Sequence, residues 1–130
     1  MIGLDTNVLL RFFLQDDVRQ SPGSAALFDS LSPRNPGYVS LVTLVELVWV
    51  FDRTYRKPRN EISAFLRGLL ESNDLVLEKY DAVSQAFRRF DSSNADFSDC
   101  LIERLCASAG CSKTMTFDVG AAKSAGMVLL

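Results

Sequence analysis

The sequence predicts an α/β protein: a mainly parallel sheet of about five strands, covered on both faces by helices. Five short apolar runs, IGL, YVS, LVLE, TMTF and MVLL, alternate with segments of helical character. Parallel strands need such crossover connections, and helices laid over both faces bury the sheet. Two of the runs, in IGLDTNVLL and TMTFDVGAAKSA, stop at an aspartate with a helical pattern behind it. Ligands of parallel sheets bind at the carboxyl ends of the strands. Asp5 and Asp118 stand at that end.

The elements follow one another with clear punctuation. IGL is a buried strand, and VLLRFFL continues as a helix with its apolar positions inward. Ser21-Pro22 opens a second helix through AALFDSL, because proline is tolerated in a first turn. SPRNPG is a loop. YVS is a strand, followed by the long, mostly apolar helix LVTLVELVWVFDRTY. Pro58 starts a helix that sets Ile62, Phe65, Leu66, Leu69 and Leu70 on one face. LVLE is a strand, and AVSQAFRRF an amphipathic helix. DFSDCLIERLCASAG is a helix that ends at Gly110, a residue suited to the C-terminal cap. TMTF, VGAAKSA and MVLL close the chain as strand, short helix and strand.

At 130 residues, with no repeats, low-complexity segments or linkers, residues 1–130 read as one domain. The longest apolar stretch, YVSLVTLVELVWVF, contains a glutamate and two hydroxyls and is too short for a membrane span. Residues 1–15 lack a basic start and meet Asp5 early, which argues against a secretory signal. Cys100, Cys106 and Cys111 are odd in number and form no CxxC motif. Reduced thiols in a cytoplasmic protein fit that count. There is no histidine. That excludes Ser-His-Asp and Cys-His catalysis and any zinc site that needs imidazole. A net charge of −2 argues against simple coating of nucleic acid. It is compatible with a nucleic-acid enzyme whose acids are neutralised by metal, since two divalent ions would change −2 to +2.

The acids carry the chemistry. Asp5 and Asp118 are each placed to cap a helix, a favoured role for aspartate. Glu46 is the only charge in LVTLVELVWVF. A helix apolar nearly all round is expected to be buried, and a buried carboxylate needs an arginine, a metal or a proton. Asp96 and Asp99, at i and i+3, share a face at a helix start. One of them suffices to cap and to complement the helix dipole. Glu103, a turn further on, reads as solvated, with an outer-shell role as the alternative. Carboxylates about 5 Å apart repel by roughly 3 kcal/mol per pair at an effective dielectric near 20. A divalent cation removes that conflict, and all-oxygen ligands select Mg²⁺ or Mn²⁺.

IGLDTNVLL, Glu46 in TLVELVWVF, ADFSDCLI and TMTFD, in this order, resemble the ordered motifs of PIN-domain ribonucleases, most closely the VapC-type toxins of bacterial toxin–antitoxin pairs. The resemblance covers nearly the whole chain. It implies a three-layer α/β/α sandwich. It also implies that Asp5, Glu46, Asp99 and Asp118 are catalytic, that the same four with Asp96 bind metal, and that Thr6, Asn7 and Thr116 are auxiliary polar residues. Val119 stands where these toxins commonly carry a basic or polar residue. The activity implied is Mg²⁺-dependent (or Mn²⁺-dependent) endoribonuclease hydrolysis that leaves 5′-phosphate and 3′-hydroxyl ends. A homodimer and a cognate antitoxin that blocks the acidic pocket are implied as well.

Two sets of basic residues, Arg53, Arg56, Lys57 and Arg59 in RTYRKPR and Arg88 with Arg89, are available to grip a phosphate backbone or to stay solvated. Of the large side chains Phe12, Phe13, Trp49, Phe51 and Tyr55, most are expected in the core and some at a partner. The alternative to an enzyme is a non-catalytic PIN-like module that binds RNA or protein. An aspartyl-nucleophile hydrolase would want a second aspartate at position 7, where Asn7 stands. A receiver-type domain would want an aspartate after YVS, and none follows it.

Overall fold

Every strand and helix of the expected order is present in the structure, a computed structural model that describes residues 1–130. The strands are β1 (Ile2–Gly3), β2 (Gly37–Val39), β3 (Leu75–Leu77), β4 (Met115–Thr116) and β5 (Val128–Leu129). The helices are α1 (Thr6–Leu14), α2 (Ser21–Ser30), α3 (Leu41–Trp49), α4 (Arg59–Glu71), α5 (Tyr80–Asp91), α6 (Phe97–Ser108) and α7 (Val119–Ser124). A π-helical turn, Val50–Thr54, prolongs α3. Gly110 takes φ +98° just beyond α6, the left-handed conformation that suits a helix end.

All ladders are parallel, as the crossover pattern requires, but they do not form one sheet. β1, β2 and β3 make a three-stranded sheet in that order, and β4 pairs only with β5. The expected sheet of about five strands is therefore two sheets, of three and two strands. The physical reason lies at β1. Its amides bond toward β2, from Ile2 to the Pro36 carbonyl and from Leu4 to the Tyr38 carbonyl, each at 2.9 Å. No ladder joins β1 to β4. With only two residues in each, these strands have few groups with which to hold a further pairing.

One cluster of 24 buried residues forms the core. Leu9 and Leu10 of α1, Leu44 and Leu47 of α3, Leu66 and Leu69 of α4, Val83 and Phe87 of α5, and Phe97 and Leu101 of α6 all belong to it. At about 2 kcal/mol for each fully buried large side chain, this cluster is the main source of stability. Aromatic pairs extend it. Phe12 stacks on Phe28 with ring centroids 3.9 Å apart, and Phe65 meets Phe13 and Phe51 edge to face. Arg59 pins the chain between α5 and α6. It donates to the Phe90 and Ala95 carbonyls at 2.6 Å each and lies 3.8 Å over the Phe90 ring. This fixes the approach to Asp96, the first residue of the candidate site.

Candidate active site

Three of the sequence-predicted acids sit where strand or loop turns into helix, and each caps the helix it precedes. Asp5 Oδ1 accepts from the Thr6 amide at 2.8 Å. Asp96 Oδ1 accepts from the Ser98 amide at 2.8 Å and the Ser98 hydroxyl at 2.7 Å. Asp118 Oδ1 accepts from the Gly120 amide at 2.7 Å and the Ala121 amide at 3.2 Å. Thr116 Oγ1 accepts from the Asp118 amide at 3.0 Å and so fixes the turn after β4. Capping thus accounts for one oxygen of each aspartate. The second oxygen, Oδ2, accepts no hydrogen bond from protein in any of the three.

Asp99 is different. It lies in the first turn of α6, half-buried, and accepts no hydrogen bond. Burial, then the charges of Asp96 and Asp118, push its carboxyl above the usual aspartate range. Three carboxylates therefore share one region, at the start of α6 and the start of α7. None of the five ion pairs in the protein involves Asp5, Glu46, Asp96, Asp99 or Asp118.

Glu46 is not the buried carboxylate that its apolar helix suggests. α3 buries only Thr43, Leu44, Leu47 and Val48, while Glu46 is exposed together with Val42 (78%) and Trp49 (59%). Glu46 lies on an open groove of about 620 Å³ between α3 and α6, with Ser98 on the same wall. It therefore faces the beginning of α6. Glu103 also differs from expectation. Its side chain is only 13% exposed and pairs with Arg104 at 2.5 and 2.8 Å, which lowers its pKa. It is not a solvated residue.

Thr6 is buried, and Asn7 is exposed beside Asp5. Of the basic run, Arg53 pairs with Asp52, Lys57 pairs with Glu61, and Arg59 is spent on backbone carbonyls. Lys57, Asn94 and Asp96 border one cleft of about 210 Å³, which sequence reasoning did not foresee. All three cysteines are free, as expected.

No three of the carboxylates stand together at the spacing of a metal cage. The division of the sheet explains this. Adjacent strands lie about 4.8 Å apart, so pairing of β1 with β4 would bring Asp5 and Asp118 close. Without that ladder they are not held together. The donor chemistry nevertheless suits a hard cation: carboxylate oxygens only, free of basic partners, with Asp99 between two like charges. Mg²⁺ is commonly bound through one or two carboxylates plus waters and substrate phosphate. The residues fit an ion of that kind, shared with substrate, better than one enclosed by protein.

A family model described as "PIN domain" matches residues 2–126. No curated protein matches the chain. No helix is long and apolar enough to cross a membrane.

Proposed function

The chain belongs to the PIN-domain family, whose members are generally nucleases that use divalent metal ions, and we propose that it is a Mg²⁺- or Mn²⁺-dependent endoribonuclease. In this reading residues 1–130 form one catalytic unit, the toxin of a type II toxin–antitoxin pair acting in the cytoplasm. The observation that carries it is Asp99: a half-buried carboxylate beside Asp96 and Asp118, with no cationic partner in the protein.

Asp99, Asp96 and Asp118 would hold the ion, with Asp5 and Glu46 completing the acidic surround. Once bound, a divalent ion neutralises charge at the phosphate and lowers the pKa of a water. Asp96 and Asp118 are kept in place by their own caps, so each offers a fixed outer oxygen. Glu46, exposed at the start of α6, is free to orient a water or take its proton. A bond forms from the water oxygen to phosphorus, and the bond from phosphorus to the 3′-oxygen breaks. The leaving oxygen takes a proton, giving 5′-phosphate and 3′-hydroxyl ends. Histidine is not needed in this scheme. The 2′-hydroxyl takes no part, so recognition must distinguish RNA from DNA.

The protein partners are a second copy of the chain and a cognate antitoxin. The apolar groove between α3 and α6, with Val42, Trp49 and Ile102 exposed, supports such contacts. The dispersed acids favour a second reading, a PIN-like module that binds RNA without cutting it. Incubation with structured RNA and Mn²⁺, with and without chelator, separates the two. Cleavage that stops with chelator and with D99N is expected. Chelator-insensitive cleavage, or none, rejects the nuclease.

A further inference from the structure

Away from the carboxylates, a concave patch of about 500 Å³ lies where the end of α5, the middle of α6 and the end of α7 meet. No hydrophobic side chain lines it. Its wall carries Arg88, Arg89 and Arg104 together with Ser92, Ser93 and Ser124. We propose that this patch is a phosphate subsite that holds the RNA backbone about two or three nucleotides from the bond that is cut. Its position relative to that bond rests on the nuclease reading, whereas its binding of phosphate does not.

Charge is the first support. Arg104 is paired with Glu103, but neither Arg88 nor Arg89 is in an ion pair. Guanidiniums gathered without matching carboxylates repel one another, and an anion relieves the repulsion. Arginine's planar fork also suits two oxygens of one phosphate. The competing explanation is that Arg88 and Arg89 complement the C-terminal dipole of α5. That end is already served. The Ser92 and Ser93 hydroxyls donate to the Arg88 and Arg89 carbonyls at 2.9 and 2.6 Å.

Position is the second support. The Arg89 guanidinium lies against Gly126, which has φ +81°. A β-carbon at 126 would stand 2.6 Å from Arg89 Nη1, so only glycine gives both the backbone conformation and the space. Arg104 Nη1 reaches Gln85 Oε1 at 3.4 Å. Two of the three forks are therefore held in place before any ligand arrives.

Distance is the third. From Asp99 to Arg104 is five residues of α6, about 7.5 Å of rise, and from Asp118 to Ser124 is six residues, about 9 Å. A stacked strand rises about 3.4 Å per nucleotide, so one strand passing over the carboxylates reaches the arginines in two or three steps.

The test is fluorescence anisotropy of a labelled single-stranded RNA of about a dozen nucleotides, titrated with the whole chain in EDTA so that nothing is cut. R88Q/R89Q should raise Kd roughly tenfold at low salt and reduce the slope of log K against log salt by about 1.4, or about 0.7 for each lost phosphate contact. R104Q should move both in the same direction, and R34Q, in an exposed loop, should change neither. Thermal melting checks that each variant is folded. If R88Q/R89Q and R104Q, both folded, keep the wild-type Kd and slope, the subsite is wrong, whatever the cleavage assay shows. If the variants lose binding but wild-type protein never cuts RNA with Mn²⁺, the subsite stands and the nuclease reading falls.

Discussion

Asp96 and Asp99 stand one turn apart at the start of α6 and divide its work. Asp96 closes the helix end through Ser98, while Asp99 accepts no hydrogen bond and is left with neighbours of its own sign. A helix start needs one capping carboxylate. The second, half-buried and raised in pKa, is a stability cost that only a ligand offsets.

D99N should therefore stabilise the metal-free protein while abolishing cleavage. A carboxyl with a raised folded pKa binds more protons in the native state than in the unfolded state. Its destabilising effect grows as pH rises from the ordinary aspartate pKa of about 3.9 through the folded value. Below that window it vanishes. Melting at neutral pH in EDTA should show D99N roughly 1–3 °C above wild type, and the two should converge near pH 3. Added Mn²⁺ should raise the wild-type Tm and leave D99N unmoved. A lower Tm for D99N at neutral pH would contradict the assignment.

Asp5 separates charge from capping. Asparagine keeps an oxygen for the Thr6 amide and caps about as well as aspartate. D5N should stay within about 0.5 kcal/mol of wild type in urea denaturation and lose at least about 100-fold in cleavage. D5A should lose the cap as well, at a cost of about 1 kcal/mol. An active D5N would remove Asp5 from the site.

Arg59 holds the approach to Asp96. R59A strips hydrogen bonds from the Phe90 and Ala95 carbonyls and the cation from the Phe90 ring, and should destabilise by roughly 2 kcal/mol. Lysine cannot reproduce the planar fork, so R59K should recover little. Cleavage should fall in both, because Ala95 immediately precedes Asp96. Equilibrium denaturation alongside initial cleavage rates checks this.

Glu103 has the opposite sign to Asp99. Its lowered pKa, caused first by the Arg104 hydrogen bonds, stabilises the fold above the unfolded glutamate pKa of about 4.3 and is lost as pH falls through the folded value. E103Q should melt below wild type at pH 7 by roughly 1–3 °C and meet it in strong acid. Melting curves across pH 2–7 would show either convergence or a constant gap, and a constant gap would mean that the pair is not responsible.

The exposed side of α3 should mark the contact between copies. Light scattering should give the mass of two chains for wild-type protein and of one for W49E, with the far-UV spectrum unchanged. A monomeric wild type would leave Trp49 to the antitoxin alone.

The sequence made the elements and the caps legible because both are local. Apolar periodicity, Pro22, Pro58 and Gly110 mark the helix ends without reference to anything distant. What stayed hidden depends on partners. A strand's own residues do not state which edge it will pair, so the separation of β4–β5 from β1 could not be read from TMTF or IGL. An apolar helix face looks the same whether its own chain or another covers it, and so Glu46 reads as buried when it is exposed. Glu103 and Arg104 are adjacent residues of a helix, a spacing from which side chains ordinarily diverge. Their pairing follows from the fold around them. The acids at helix starts were found correctly, and their incomplete gathering comes from the missing ladder.

That gap between β1 and β4 has a thermodynamic consequence. The Ile2 and Leu4 amides point toward β2, and strand alternation aims the Gly3 N–H at the open side. An ion drawing Asp5 toward Asp118 must also bring these two backbones together. Part of its intrinsic affinity is then consumed in ordering the chain, and the observed dissociation constant is weaker than the ligands alone would give. Occupancy and edge closure become a single equilibrium, and the Gly3 amide, open to deuterium in one state and sheltered in the other, reports on both.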